Sequence, residues 1–209
     1  MTTLALGARR PLAAGRGTPR EGRLFVISGP SGGGKTTVVQ RLQRLLPRLV
    51  RSVSVTTRAP RRGERAGRAY QFVSPATFHR LRRTGALLEW AKVHEAYYGS
   101  PKEPILQAMA RGRDVILSID VQGARKIRRA LGRRAVLVFL APPSMAQLRQ
   151  RLLQRRTETP EAIRRRLAAA RQELACASWY DVTVVNDRLE HAVRVLRDIL
   201  QSRGGREGG

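Results

Sequence analysis

The eight residues "GPSGGGKT" at 29–36 constrain the fold of this 209-residue chain more than any other stretch. They satisfy Gly-x-x-x-x-Gly-Lys-[Ser/Thr]. They also stand between an apolar segment, "RLFVIS" (23–28), and a segment of helical spacing, "KTTVVQRLQRLL" (35–46). A strand, a glycine turn and a helix in that order make a phosphate cradle. The backbone from Gly29 through Pro30, Ser31, Gly32, Gly33 and Gly34 curls around phosphate oxygens, and the glycines keep Cβ atoms out of the way. The helix start, with Thr36 and Thr37, adds the positive end of its dipole. Lys35 reaches the β and γ phosphates, and the Thr36 hydroxyl is a ligand for Mg²⁺. A bound nucleoside triphosphate with Mg²⁺ is therefore expected. The loop alone leaves kinases, GTPases and translocating ATPases open.

Strand and helix signals alternate through the rest of the chain, the pattern of an α/β fold with a parallel sheet. "DVILSID" (114–120) and "AVLVFLAP" (135–142) are continuous apolar runs, as strands covered on both faces require. "SVSVTT" (52–57), "YQFV" (70–73), "LLEWAKV" (87–93) and "DVTVVN" (181–186) read as further strands. Ser74-Pro75 opens a helix, with serine as cap and proline at the first position. Ser100-Pro101-Lys102-Glu103 reads as a capping box for a helix that Gly112 closes, and Ser144 with Gln147 as another. Pro160 opens a helix to about Ala175, and a last helix starts near Leu189. Between about 52 and 104 the alternation breaks into short successive strands, an insertion in the parallel core.

Charge raises a competing expectation. Forty-one lysines and arginines against 15 acids give +26, the balance of a protein with a polyanionic partner. The excess is mostly arginine, spread along the chain with no single dense run. Aromatics at 5% provide no stacking platform for single strands. A nucleic-acid-dependent ATPase would need further subdomains, for which 209 residues leave little room. No specific nucleic-acid partner is expected. One cysteine, Cys176, fits a reducing compartment, and no apolar run reaches the roughly 20 residues of a membrane helix. The expectation is a cytoplasmic protein without a membrane partner, a monomer or small homo-oligomer. Residues 1–22, rich in Ala, Gly, Pro and Arg, read as a disordered basic extension, and 203–209 as a flexible tail.

"GPSGGGKT", "SVSVTTRAPRRGE", "GRAYQFV", "LLEWAKV", "YYGS", "IDVQGARKIR", "APPS" and "VND" follow one another in the order and spacing seen in guanylate kinases. The chain resembles that family from about Arg23 to Ser202. The resemblance implies a P-loop NTPase three-layer α/β/α core with a parallel sheet. It also implies an inserted GMP-binding subdomain (about 52–104) and a helical lid (about 143–170). The implied reaction is MgATP plus GMP, and by the same contacts dGMP, giving ADP and GDP, a step of GMP recycling and GTP supply.

Chemistry agrees with the residues that the resemblance singles out. In-line phosphoryl transfer requires the second nucleotide to have its own phosphate grip. Arg58 and Arg61 suit it, because guanidinium forks bind phosphate bidentately. By resemblance Tyr70 and Tyr98 donate hydroxyls to the same phosphate, and Glu89 selects guanine. Guanine presents adjacent N1–H and N2–H₂ donors that one carboxylate accepts in parallel, whereas adenine turns an acceptor at N1 toward it. Ser54, Ser100 and Asp120 match the other base-edge contacts, and Asn186 an adenine-side contact. Arg151, Arg155 and Arg166 match lid arginines that neutralise charge on the transferred phosphoryl group. Related domains that serve only as interaction scaffolds lose the loop lysine or lid arginines, which are kept here.

The chain also departs from the family. "LSID" places Ser118 where an acid commonly stands, which removes a charge that would order water around Mg²⁺. Glu95-Ala96 replaces the usual Gly-Asn before "YYG", and Arg188 replaces an acid after Asn186.

Overall fold

The structure is a computed structural model that describes residues 21–60, 64–67, 70–93, 95–154 and 159–202. The expected extension up to residue 20, the tail at 203–209, and Arg61 and Arg155 lie outside the described residues. Glu21 and Gly22, assigned from sequence to the extension, already belong to the fold. The Gly22 N–H donates to the Met109 carbonyl at 2.8 Å, and Glu21 pairs with Arg134.

The central sheet is built from β1 (Leu24–Ser28), β2 (Val50–Arg51), β7 (Val115–Ser118), β8 (Ala135–Ala141) and β9 (Val182–Val185). Their order is β2-β7-β1-β8-β9, and every pairing is parallel. Alternation along the strands explains why both faces are apolar. Phe25, Ile27, Ile116, Val138 and Leu140 point to one side. There they meet Val38, Val39 and Leu42 of α1 (Lys35–Leu45) and Val193, Leu196 and Leu200 of α7 (Leu189–Gln201). Leu24, Val26, Leu117, Leu137 and Phe139 point to the other. There they meet Ile105 and Met109 of α3 (Lys102–Ala110) and Ala124 and Ile127 of α4 (Val121–Leu131). Fully burying one such side chain contributes roughly 1.5–3 kcal/mol, so the strands are held by helix cover as much as by their ladders. This is the expected three-layer α/β/α arrangement.

A second, four-stranded sheet comprises β3 (Ser54–Thr56), β4 (Tyr70–Phe72), β5 (Leu87–Val93) and β6 (Ala96–Pro101) in the order β4-β3-β6-β5. The strand expected over 52–57 is confined to Ser54–Thr56, in the second sheet. Val50–Arg51, just before it, adds to the core edge, so the chain changes sheets at Ser52-Val53. Neither β6 nor α4 was assigned from the pattern. Ser74 caps α2 (Pro75–Arg83) as expected, accepting from the Thr77 N–H at 3.2 Å. Ser100 does not cap α3. It lies within β6 opposite Glu89, and its hydroxyl donates to that carboxylate, a stronger acceptor than a cap geometry offers.

The remaining helices, α5 (Met145–Gln154) and α6 (Pro160–Leu174), share a small core of Leu148, Leu152, Ile163 and Ala170. Ser144 accepts from the Gln147 N–H at 3.1 Å and Thr159 from the Ala162 N–H at 3.3 Å, so both helices start at a side-chain cap.

Candidate active site

The cleft opens at the carboxyl ends of the parallel strands, where β1 lies between β7 and β8 and connections leave to opposite sides. The phosphate loop supplies its floor. Gly29, Gly32 and Gly34 have φ of 139°, 90° and 95°, which L side chains rarely adopt. Lys35 turns its Nζ back onto the loop, bonding the carbonyls of Gly29 and Pro30 (3.0 Å to the latter). Thr36 and Thr37 are exposed on the cleft at the start of α1.

Asn186, at the end of β9, anchors the loop from below. Its Nδ2 donates to the Gly33 carbonyl at 2.7 Å, and a Cβ at Gly34 would come within 2.4 Å of that nitrogen. Asn186 is buried, and in the structure its amide serves as an anchor for the loop. Arg151 of α5 donates to the Asn186 carbonyl at 2.8 Å and stands behind the same anchor. Arg166 of α6 reaches the loop itself, donating to the Ser31 hydroxyl at 2.6 Å. Of the three arginines expected at a lid, Arg151 and Arg166 are among the described residues, and Arg166 lines the cleft.

The facing wall is one side of the second sheet. The two-residue strand period puts Ser54, Tyr70, Glu89, Tyr98 and Ser100 on that side, and register sets them in pairs: Ser54 opposite Tyr70, Glu89 opposite Ser100. Tyr70 and Tyr98 meet edge to face at 5.7 Å. Arg58 lies between them. Its Nε donates to the Tyr98 hydroxyl at 3.2 Å, and its guanidinium covers the Tyr70 ring at 5.5 Å. Both of its Nη atoms grip Glu64 (2.9 and 3.1 Å), so the fork already holds an anionic group bidentately. Sequence reasoning quoted Glu64 in the arginine motif without giving it a role.

Glu89 is 4% exposed, and its Oε1 accepts from Ser100 Oγ at 2.5 Å. Burial pushes its carboxyl up to about 7. The Asp120 charge adds to the rise, while the Ser100 hydrogen bond and Lys126 oppose it. Asp120 caps α4, taking the Gly123 N–H at 2.8 Å, and lines the cleft with Ser118. Glu173 is a member of the site that sequence reasoning missed. It lies two turns along α6 from Arg166, on the same helix face, and that spacing was the available signal. Burial raises its carboxyl to about 7 against the opposing pull of Lys35, and Asp120 raises it further. Its Oε2 is buried without a hydrogen-bond partner among the described residues.

The cleft fits MgATP. It offers hard oxygen donors, Thr36, Ser118 and Asp120, beside the loop. Among the described residues no cluster of three or more His, Cys, Asp or Glu could hold a metal ion. A second cavity, at the amino ends of the strands between Gly22, Leu46, Arg113 and Leu200, has no such loop. No described helix is long and apolar enough to cross a membrane.

The guanylate kinase family model matches residues 21–203. A guanylate kinase of Oleidesulfovibrio alaskensis is 51% identical over 179 residues, 86% of each chain. One of Thermobifida fusca is 51% identical over 176 residues, 84% of this chain and 89% of that one. The crystal structure of guanylate kinase from Anaplasma phagocytophilum superposes with a TM-score of 0.75 at 34% identity, covering 88% of this chain and 86% of that one. A P-loop core with a polar second sheet facing it, matched along nearly its whole length, places this chain in the guanylate kinase family.

Proposed function

We propose that the chain transfers the γ-phosphoryl group of MgATP to GMP, giving ADP and GDP. One observation carries the reading beyond family membership. A buried carboxylate, Glu89, and a bidentate guanidinium, Arg58, belong to one wall of the cleft whose floor is the phosphate loop. That pairing suits one small molecule with a donor-rich base edge and a phosphate.

In this reading the GMP phosphate displaces Glu64 from the Arg58 fork and takes the Tyr98 and Tyr70 hydroxyls. Arg61 contributes a second guanidinium. Glu89, ionised, accepts from guanine N1–H and N2–H₂, and Ser54, Ser100 and Asp120 complete the base pocket. The loop N–H groups and Lys35 hold the β and γ phosphates of ATP, and Thr36 would hold Mg²⁺, which neutralises phosphate charge when bound. Arg166, with Arg151 and Arg155, neutralises the charge that spreads over the phosphoryl group as it passes. None of the proposed contacts needs a 2′-hydroxyl, so dGMP fits equally. Every one comes from a single chain, and no second copy is needed to complete the site. The setting inferred is cytoplasmic purine nucleotide metabolism.

A coupled ADP-release assay with GMP, dGMP, AMP, UMP and single-stranded DNA tests the reading. ADP release that follows GMP and dGMP is expected. Release with AMP and not GMP, or stimulation by DNA alone, would overturn it.

A further inference from the structure

Gly123 is the third residue of α4, where helix propensity favours alanine. Its φ is not positive, so the backbone does not require glycine. The space does. A Cβ at Gly123 would lie 2.7 Å from Glu89 Oε2, 3.1 Å from Glu89 Cδ and 3.0 Å from Ile119 Cδ1. The carboxylate is therefore clasped from two sides, with the Ser100 hydroxyl on Oε1 and the bare first turn of α4 against Oε2.

This contact joins two parts of the molecule. Helix α4 packs on the core sheet, whereas Glu89 belongs to β5 of the second sheet. One turn further along α4, Lys126 donates to the Trp90 carbonyl and sits over the Trp90 ring at 4.2 Å. Successive residues of β5 are thus registered against successive turns of α4. Asp120 takes the Gly123 N–H and fixes where that helix begins.

We infer that Gly123 is a specificity-determining position, which sets the Glu89 carboxylate in its reading position by offering backbone without a side chain. The inference rests on the reading of Glu89 as the guanine acceptor. A methyl at 123 leaves a buried carboxylate two ways to move. It breaks the Ser100 bond, or it forces β5 away from α4. Both displace the group that faces the base and leave the phosphate loop untouched.

The test is Gly123→Ala, with steady-state kinetics for GMP, AMP and ATP and a thermal melt, beside Glu89→Gln, Glu89→Asp and the pair Gly123→Ala/Glu89→Asp. Gly123→Ala is expected to raise KM for GMP about tenfold or more, with kcat and KM for ATP within about threefold of wild type. The melting temperature is expected to fall by no more than a few degrees, because alanine's helix propensity offsets part of the cost of the displaced contact. Glu89→Asp withdraws the carboxylate by one methylene. The double variant should therefore lose less than the product of the single losses. An unchanged KM for GMP, a matching rise for ATP, or strictly additive losses would overturn the inference. Glu89→Gln separates the two claims. If it impairs GMP use while Gly123→Ala does not, the inference alone fails; if it leaves GMP use intact, the reading of Glu89 fails and takes the inference with it. Should Gly123→Ala not fold, Lys126→Met releases the neighbouring anchor. It is expected to raise KM for GMP severalfold with KM for ATP unchanged, and no change for GMP would count against the register.

Discussion

In the proposed reading the cleft has a donor half and an acceptor half, and the two are built in opposite ways. The phosphate loop is one contiguous segment, 29–37, shaped by glycine conformations and closed by Lys35 on its own carbonyls. The acceptor wall draws Ser54, Arg58, Tyr70, Glu89, Tyr98 and Ser100 from strands and loops spread over nearly fifty residues, aligned only when the second sheet forms. A local device depends on few neighbours. An assembled one depends on register, so a small displacement at one strand changes what the wall reads.

The largest effect should come from the local half. Lys35→Ala is expected to lower kcat by roughly a thousandfold or more, about 4 kcal/mol of lost transition-state stabilisation, with little change in GMP binding. A loss shared equally by GMP affinity would show that the halves are not separate. Arg58→Lys keeps the charge and loses the fork. It is expected to raise KM for GMP by roughly ten- to a hundredfold, because a lysine binds phosphate as a point charge. KM for ATP, measured in the same assay, should stay put.

Smaller effects sharpen the acceptor half. The Glu89 carboxyl, held at about 7 against an ordinary 4.5, must be ionised to accept from guanine. GMP binding by calorimetry without ATP should therefore weaken as pH falls below about 7. Stability runs the other way. Between about 4.5 and 7 the folded protein keeps a proton on Glu89 that the unfolded chain has lost. The contribution of this group is thus complete below 4.5 and is lost as pH rises through 7. Glu89→Gln should accordingly raise the melting temperature at pH 8 while damaging GMP use. Smallest of all, Ser118→Asp should lower the Mg²⁺ concentration for half-maximal rate severalfold, read by Mg²⁺ titration; no change would mean that Thr36 and the triphosphate already suffice.

Legibility followed the same division. The phosphate loop, its strand and its helix were readable because every determinant lies within a few residues. Continuous apolar runs marked the central core strands for the same reason. Ser100 was misread as a cap because its local context, Ser-Pro-Lys-Glu, is a good capping signal. What decides its bond is Glu89, eleven residues away and brought opposite by strand pairing. Asn186 was expected at the adenine side, and a tie that its motif did not signal, from its buried amide to Gly33, 153 positions away, appears only in the fold. Glu173 carried no motif beyond its helical spacing from Arg166, and the fold brings it to Lys35 and Asp120. The acceptor residues were named through resemblance. Composition and spacing gave them no common site, and a charge of +26 pointed elsewhere.

The ratio of kcat/KM for GMP to that for AMP, measured for the wild type and for Glu89→Gln, tests the guanine-reading role of Glu89 most directly. A large wild-type ratio that falls by about a hundredfold in the variant, with KM for ATP unchanged, is the predicted result. A ratio that is the same in both proteins would contradict it.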